Sequence, residues 1–296
     1  MKIGFIGCVE SSLLALNTLV NMDNIEVSAV ITRKESAVNS DFVDLSQVCI
    51  ENKIPYFYED PNDREASIDF FKKFKLDVIY CFGWSYLLRK ELLDLPVCGV
   101  IGFHPAKLPM NRGRHPIIWT LALGLDETAS TFFKMDEGAD SGPILSQELI
   151  AITTEDNATS LYKKVLAVAN KQIINFTNDL SSGTAVFNPQ DDKKATYWRK
   201  RSRKDGLIDW RMSAVSIHNL IRALAPPYPG AEFSWNGELV PVISSSIAVD
   251  SYAQNIEPGK VLSKKRNSIL VKCAEKNAIW IHNLDEQELP DKGEYL

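Results

Sequence analysis

The sequence predicts an α/β protein in which a mostly parallel sheet carries helices on both faces and is followed by a smaller β-rich domain. Three observations predict it. Between Ile3 and Phe103, short and partly β-branched apolar runs alternate with amphipathic stretches, the pattern of successive strand–helix–strand units. Beyond Gly206 strand-like runs separated by turns such as Asn236-Gly237 predominate. A length of 296 residues is enough for two domains with a full core in at least the larger. The expected boundaries are 1–187 for the first domain, 188–205 for a linker and 206–296 for the second.

The first strand is Ile3-Gly4-Phe5-Ile6-Gly7, too short for a secretory h-region or a membrane span. A cytoplasmic protein is the expectation. The loop from Gly7 to Ser12 leads into a helix over Leu13–Val20, with serines available as caps. It lacks the GxGxxG pattern, which disfavours a dinucleotide site. The free N–H groups of such a helix start can instead hold an anion, which makes Val9, Glu10 and Ser11 candidates for a substrate phosphate; a plain structural turn fits the same residues.

A strand over Ile25–Ile31, a helix over Val43–Ile50, a strand over Ile54–Tyr58, a helix over Ala66–Phe74 and a strand over Leu76–Phe82 continue the alternation. The last of these strands runs into Gly83-Trp84-Ser85-Tyr86-Leu87-Leu88 at the carboxyl edge of the sheet, where a glycine followed by aromatics can frame a flat ring. Trp84 and Tyr86 are equally at home as packing aromatics.

The next strand, Val97–Phe103, ends in His104-Pro105, so an imidazole stands at the edge where open α/β sheets bind ligands. The loop from Leu108 to Pro116 carries Asn111, Arg112, Gly113 and Arg114 and is longer and more polar than a minimal connection. A strand over Thr128–Met135, a turn from Asp136 to Pro143 and a further strand from Ile144 place Asp140 in a tight loop beside His104. A carboxylate beside an imidazole orients the ring and stabilises the imidazolium, which makes the pair general acid–base equipment. Each residue alone also suits an ordinary structural role.

Asn157 caps a long amphipathic helix, Ser160–Leu180, and a basic connector runs from Asn188 to Lys204. A helix over Val215–Leu224 then precedes strands at Ala231–Trp235, Leu239–Ser245, Lys260–Leu262, Ser268–Lys272 and Ala278–Ile281. The net charge of −5, with acids slightly ahead of bases in the terminal module, argues against a general polyanion binder. The five cysteines lack metal-ligand spacing and read as reduced and structural, with no metal site expected.

At FHPAKLPMNRG and KMDEGADSGPIL, in this order and spacing, the chain resembles the formyltransferases that use 10-formyltetrahydrofolate. The resemblance continues through DGLIDW and IHNLIRAL to PPYPGA, so it covers nearly the whole chain. It implies the Rossmann-like formyltransferase fold, 10-formyltetrahydrofolate as formyl donor, and catalysis by His104 and Asp140. It also implies donor contacts, largely through backbone, at Gly83, Trp84, Ser85, Tyr86, Leu88, Glu137, Gly138 and Ala139, with both loops expected on one edge of the sheet. The histidine either removes a proton from the attacking amine or stabilises the oxyanion. One departure stands out: Gly102 occupies the place of an asparagine that the family carries two residues before the histidine.

The chain is most similar to the sugar N-formyltransferases. That implies a nucleotide-linked amino sugar as acceptor, with its charged half near Val9, Glu10, Ser11, Asn111, Arg112 and Arg114. Formylation of methionyl-tRNA is an alternative that the acidic balance disfavours. A formyltetrahydrofolate hydrolase, or a non-catalytic folate-binding protein, is a third, suggested by Gly102. No membrane partner is expected, and a homodimer is left open.

Overall fold

The computed structural model describes residues 1–36, 40–284 and 289–296. Two units divide the chain, one of residues 1–113, 128–150 and 163–198 and the other of residues 114–127, 151–162 and 199–296.

The first elements follow the predicted alternation: β1 (Lys2–Ile6), α1 (Glu10–Val20), β2 (Glu26–Thr32), α2 (Ser46–Glu51), β3 (Tyr56–Tyr58), α3 (Arg64–Lys72), β4 (Val78–Cys81), α4 (Lys90–Leu93) and β5 (Val100–His104). After them come β6 (Arg112–Gly113), α5 (Pro116–Ala122), β7 (Glu127–Lys134), β8 (Ile144–Ala151), α6 (Ala158–Ser182) and β9 (Tyr197–Trp198). Seven strands form one sheet in the order β3-β2-β1-β4-β5-β7-β8. The first five strands in chain order are parallel, and β7 is antiparallel to β5.

Side chains alternate across this sheet because the strand period is two. Ile3, Phe5, Val78 and Tyr80 pack on one face with Leu16 and Leu19 of α1 and Ile173 and Phe176 of α6. Ile6, Ile79 and Cys81 pack on the other with Ile68 and Phe71 of α3 and Leu92 and Leu93 of α4. Each such fully buried large side chain contributes about 1.5–3 kcal/mol relative to exposure. The strand expected from Val97 starts only at Val100, because Val97 is 85% exposed and Gly99 takes φ +82°.

In the second unit, α5 is accompanied by α7 (Ala214–Ala223), a hairpin of β10 (Ala231–Trp235) and β11 (Glu238–Val242), and β12 (Ser245–Ile247), β13 (Val261–Lys265), β14 (Ser268–Lys272) and β15 (Ala278–Ile281). Asn236 and Gly237 both take positive φ at the hairpin tip, as the Asn-Gly step predicts. The single strand expected over Leu239–Ser245 is two: β11 pairs with β10, and β12 pairs with β15 at the edge of the four-stranded sheet β12-β15-β14-β13. Among the described residues no helix is long and apolar enough to cross a membrane.

Candidate active site

His104 is the last residue of β5 and lies at the carboxyl edge of the parallel strands, as expected. The chain beyond it is pinned to β7: Thr131, opposite His104 in the ladder, donates its hydroxyl to the Ala106 carbonyl at 2.7 Å, and Gln147 donates to both Thr131 Oγ1 and the Leu108 carbonyl. Fixing that loop fixes the imidazole. Its Nε2 lies 2.8 Å from the Asn111 carbonyl, which can only accept, so Nε2 carries the hydrogen and the neutral ring presents Nδ1 as an acceptor. Nδ1 faces Asp140 Oδ2 at 3.6 Å.

Asp140 holds a left-handed backbone, φ +54°, the conformation that Asp adopts more readily than bulkier residues. Its Oδ2 accepts the Gly113 N–H at 2.8 Å. Gln190 donates to the Asp140 and Gly142 carbonyls at 2.9 and 2.6 Å and fixes this turn from the connector. The sequence gives no local sign of Gln190's role, since it lies in a polar segment far along the chain.

The expectation that the two donor loops leave the sheet on one edge is corrected by the register. Because β7 runs against β5, with Ile101 opposite Lys134 and His104 opposite Thr131, the segment after Lys134 leaves at the amino edge of β5. Gly83–Leu88 leaves β4 at the carboxyl edge. Only the far end of the second segment, Asp140, reaches back to His104. Glu137 instead lines, with Lys90, Asp94, Gly99 and Lys134, a cavity of about 340 Å³. Gly138 and Ala139 lie in the turn closed by Asp136, which accepts the Gly138 N–H and the Ser141 hydroxyl.

In the loop after β4, Gly83 has φ +67°, and a Cβ there would stand 2.0 Å from Val9 Cγ2, so only glycine fits. Trp84 and Tyr86 do not leave an open slot between them: the Arg33 guanidinium lies over both rings, at 4.8 and 4.6 Å. Ser85 and Leu88 are half-buried in the same loop.

Val9, Glu10 and Ser11 do stand at the start of α1, but the helix end is covered. Segment 41–43 lies along it, with Val9 bridging Phe42, the Glu10 N–H donating to the Asp41 carbonyl and the Val43 N–H to the Cys8 carbonyl. Val9 and Ser11 are buried, and the exposed Glu10 already places a negative charge in the first turn. This helix start is therefore closed to a pyrophosphate on two counts, cover and charge.

Arg112 is 1% exposed and turned into the protein. Its guanidinium donates to Gln190 at 2.8 and 3.2 Å, to Asp192 at 2.8 Å and to the Tyr197 hydroxyl at 3.0 Å, anchoring the connector where β6 pairs with β9. It is a structural cation and not a phosphate ligand. Arg114 belongs to the second unit. Asn111 sits at the His104 loop with φ +65°; its N–H donates to Thr196 Oγ1 at 2.8 Å, and its Oδ1 accepts from that hydroxyl at 3.3 Å.

Gly102 lies on β5 opposite Phe133. A Cβ at this position would stand 2.8 Å from Met135 Cγ and 3.0 Å from Phe133 Cζ, so the space an asparagine would use is filled by Met135 and Phe133.

A family model described as "Formyl transferase" matches residues 5–177, and one described as "Formyl transferase, C-terminal domain" matches residues 200–290. The chain belongs to the formyl transferase family. Its fold is shared with the crystal structure of WlaRD, a sugar 3N-formyl transferase, in the presence of dTDP and 5-N-formyl-THF; the TM-score is 0.72 at 18% identity, over 98% of this chain and 99% of that one. An N-formyltransferase from Helicobacter canadensis, in complex with folinic acid and dTDP-3-aminofucose, aligns with TM-score 0.73 at 17% identity over 95% and 99% of the two chains. HypX from Aquifex aeolicus, in complex with tetrahydrofolic acid, aligns with TM-score 0.65 at 15% identity, over 95% of this chain and 43% of HypX.

Proposed function

We propose that this formyl transferase moves a formyl group from 10-formyltetrahydrofolate to the amine of a nucleotide-linked amino sugar. The observation that carries the reading is the His104–Asp140 pair: an imidazole fixed at Nε2 by the Asn111 carbonyl and facing a carboxylate through Nδ1. Two solved proteins of the same fold hold a formylated folate together with dTDP or a dTDP-amino sugar, which supports both donor and acceptor.

The chemistry follows from the pair's open acceptor sites. The amine nitrogen attacks the formyl carbon, the carbonyl oxygen becomes an oxyanion, and the bond from carbon to the folate nitrogen breaks. The proton lost by the amine passes to the pair, where Nδ1–H then donates to Asp140 Oδ2; the pair returns it to the departing folate nitrogen. The Asp140 side chain is 21% exposed, and its bond from the Gly113 N–H and its contact with His104 both fall on Oδ2, which leaves Oδ1 to meet the amine. With no side chain at Gly102, the amide of Asn111 supplies the oxyanion donor, because its Oδ1 is engaged by Thr196 and its Nδ2 has no protein partner among the described residues.

Gly102 favours one second reading, a hydrolase in which water replaces the amine. A single assay separates the two. Purified protein is given 10-formyltetrahydrofolate with UDP-, GDP- and dTDP-linked amino sugars, with charged initiator tRNA, or with no acceptor. Formylation of a sugar nucleotide is expected. Turnover of the tRNA alone, or formate release independent of acceptor, would replace this reading.

A further inference from the structure

Arg33 follows β2 and Glu59 follows β3, both at the carboxyl edge of the sheet. The Arg33 side chain is 10% exposed and that of Glu59 7%. Nη2 and Nε of Arg33 donate to one oxygen of Glu59, at 2.5 and 3.1 Å. Over the guanidinium lie the rings of Trp84 and Tyr86, with centroids 4.8 and 4.6 Å from its central carbon. A second guanidinium, that of Arg64 at the start of α3, lies 4.8 Å from the Tyr86 centroid.

A buried ion pair is a weak stabiliser of the fold, because taking both charges out of water offsets most of their attraction. What this one fixes is geometry. Trp84 and Tyr86 are separated by one residue in a segment with no helix or strand of its own, and both are held on a single planar cation that Glu59 holds in turn. The segment is thereby tied to the ends of β2 and β3, and its backbone conformation is set before any ligand arrives. Preorganisation of that kind strengthens binding by removing the cost of ordering a loop.

We propose that Arg33 is a positioning residue for the formyl donor: it clamps Trp84 and Tyr86 so that the backbone of residues 83–88 is already set to receive the donor's pteridine ring. This rests on the reading above that the loop after β4 takes the donor. Arg33 acts through the loop, so its removal raises the donor's KM and leaves kcat at saturating donor near that of the parent. Lysine keeps the charge and can reach Glu59, but a compact ammonium cannot lie flat against two rings, so Lys does not rescue.

The test uses the full chain, its Arg33→Lys and Arg33→Met variants, and 5-formyltetrahydrofolate as probe. Calorimetry gives the probe's dissociation constant, steady-state assays give kcat and donor KM, and hydrogen exchange follows residues 83–88. Both variants are expected to bind the probe about tenfold more weakly, because part of the binding free energy then goes into ordering the loop that the two cation–π contacts held. Donor KM should rise in parallel, kcat should stay within about threefold, and exchange should quicken in 83–88 ahead of the rest of the sheet. If Arg33→Met fails to fold, Arg33→Lys decides alone. A parent that does not bind the probe removes the donor reading and this inference with it. A parent that binds, with an Arg33→Lys variant that binds equally well, overturns this inference only.

Discussion

Oδ2 of Asp140 stands 3.6 Å from Nδ1 of His104 and 2.8 Å from the Gly113 backbone nitrogen, so one oxygen faces the imidazole and is fixed by the loop that carries Asn111. The pair is assembled from the end of β5 and the turn after β7, and bonds from Gln190 and the Gly113 N–H hold that turn. Removing either member should therefore reduce the chemical step without unfolding the chain. His104→Ala and Asp140→Asn are expected to lower kcat by roughly 10²–10⁴ with thermal stability near that of the parent. Steady-state kinetics on the accepted sugar nucleotide checks this, and rates within threefold of the parent would dismiss the pair.

Asn111 gives a sharper test of where the oxyanion is held. Asn111→Gly keeps the left-handed backbone at no steric cost while deleting the amide. Loss of one oxyanion donor should cost about 10²–10³ in kcat, with donor KM unchanged. An equal fall in kcat and rise in donor KM would instead assign the amide to ground-state binding.

The strands, the long helix and the position of His104 were legible because they depend on local period and on strand ends. Phe5, Val78 and Tyr80 sit in continuous apolar runs, and Asn157 does cap α6, accepting the Ser160 N–H at 3.0 Å. What was not legible depends on partners far along the chain. Arg112 reads as a cation in a polar loop available to the acceptor's charged half, yet Gln190, Asp192 and Tyr197 draw it inside. The start of α1 reads as an anion site until segment 41–43 is seen to cover it. The edge from which residues 136–140 depart follows from the antiparallel placement of β7, which no short motif encodes.

Arg112 accordingly predicts a loss of stability. Arg112→Met should leave Gln190 and Tyr197 without their donor and destabilise the first unit by about 1–3 kcal/mol. Acceptor KM of the remaining activity should stay close to that of the parent. A tenfold rise in acceptor KM at unchanged melting temperature would return Arg112 to the substrate.

Asp205 predicts an acid-side effect in the second unit. Arg199 and the backbone and hydroxyl of Ser202 bond to its carboxylate and hold its pKa well below the usual carboxylate range. A depressed folded-state pKa means that the stabilisation is complete above the unfolded value near 4 and fades as pH falls through the depressed one. Asp205→Asn should therefore destabilise at neutral pH, by about 1–2 kcal/mol given the exposure of Arg199, and the gap to the parent should narrow progressively as pH falls below the usual carboxylate value near 4. Urea unfolding at several pH values measures it, and a gap that widened on acidification would contradict the sign.

Gly102 carries the last prediction, and its outcome is set by packing. Restoring the family asparagine by Gly102→Asn introduces a side chain where Met135 Cγ and Phe133 Cζ lie 2.8 and 3.0 Å from the new Cβ. Overpacking of this kind costs about 1–3 kcal/mol, so the single variant should be less stable and no more active. Met135→Ala opens the same space while leaving His104 and Asp140 in place, and the double variant Gly102→Asn with Met135→Ala should recover the stability that Gly102→Asn loses beyond the sum of the separate effects. If the new amide also reaches the oxyanion, kcat of the double variant exceeds that of Met135→Ala alone and its dependence on Asn111 weakens. A double-mutant cycle on melting temperature and kcat reads both couplings; purely additive stability effects would show that Met135 does not close the asparagine's place.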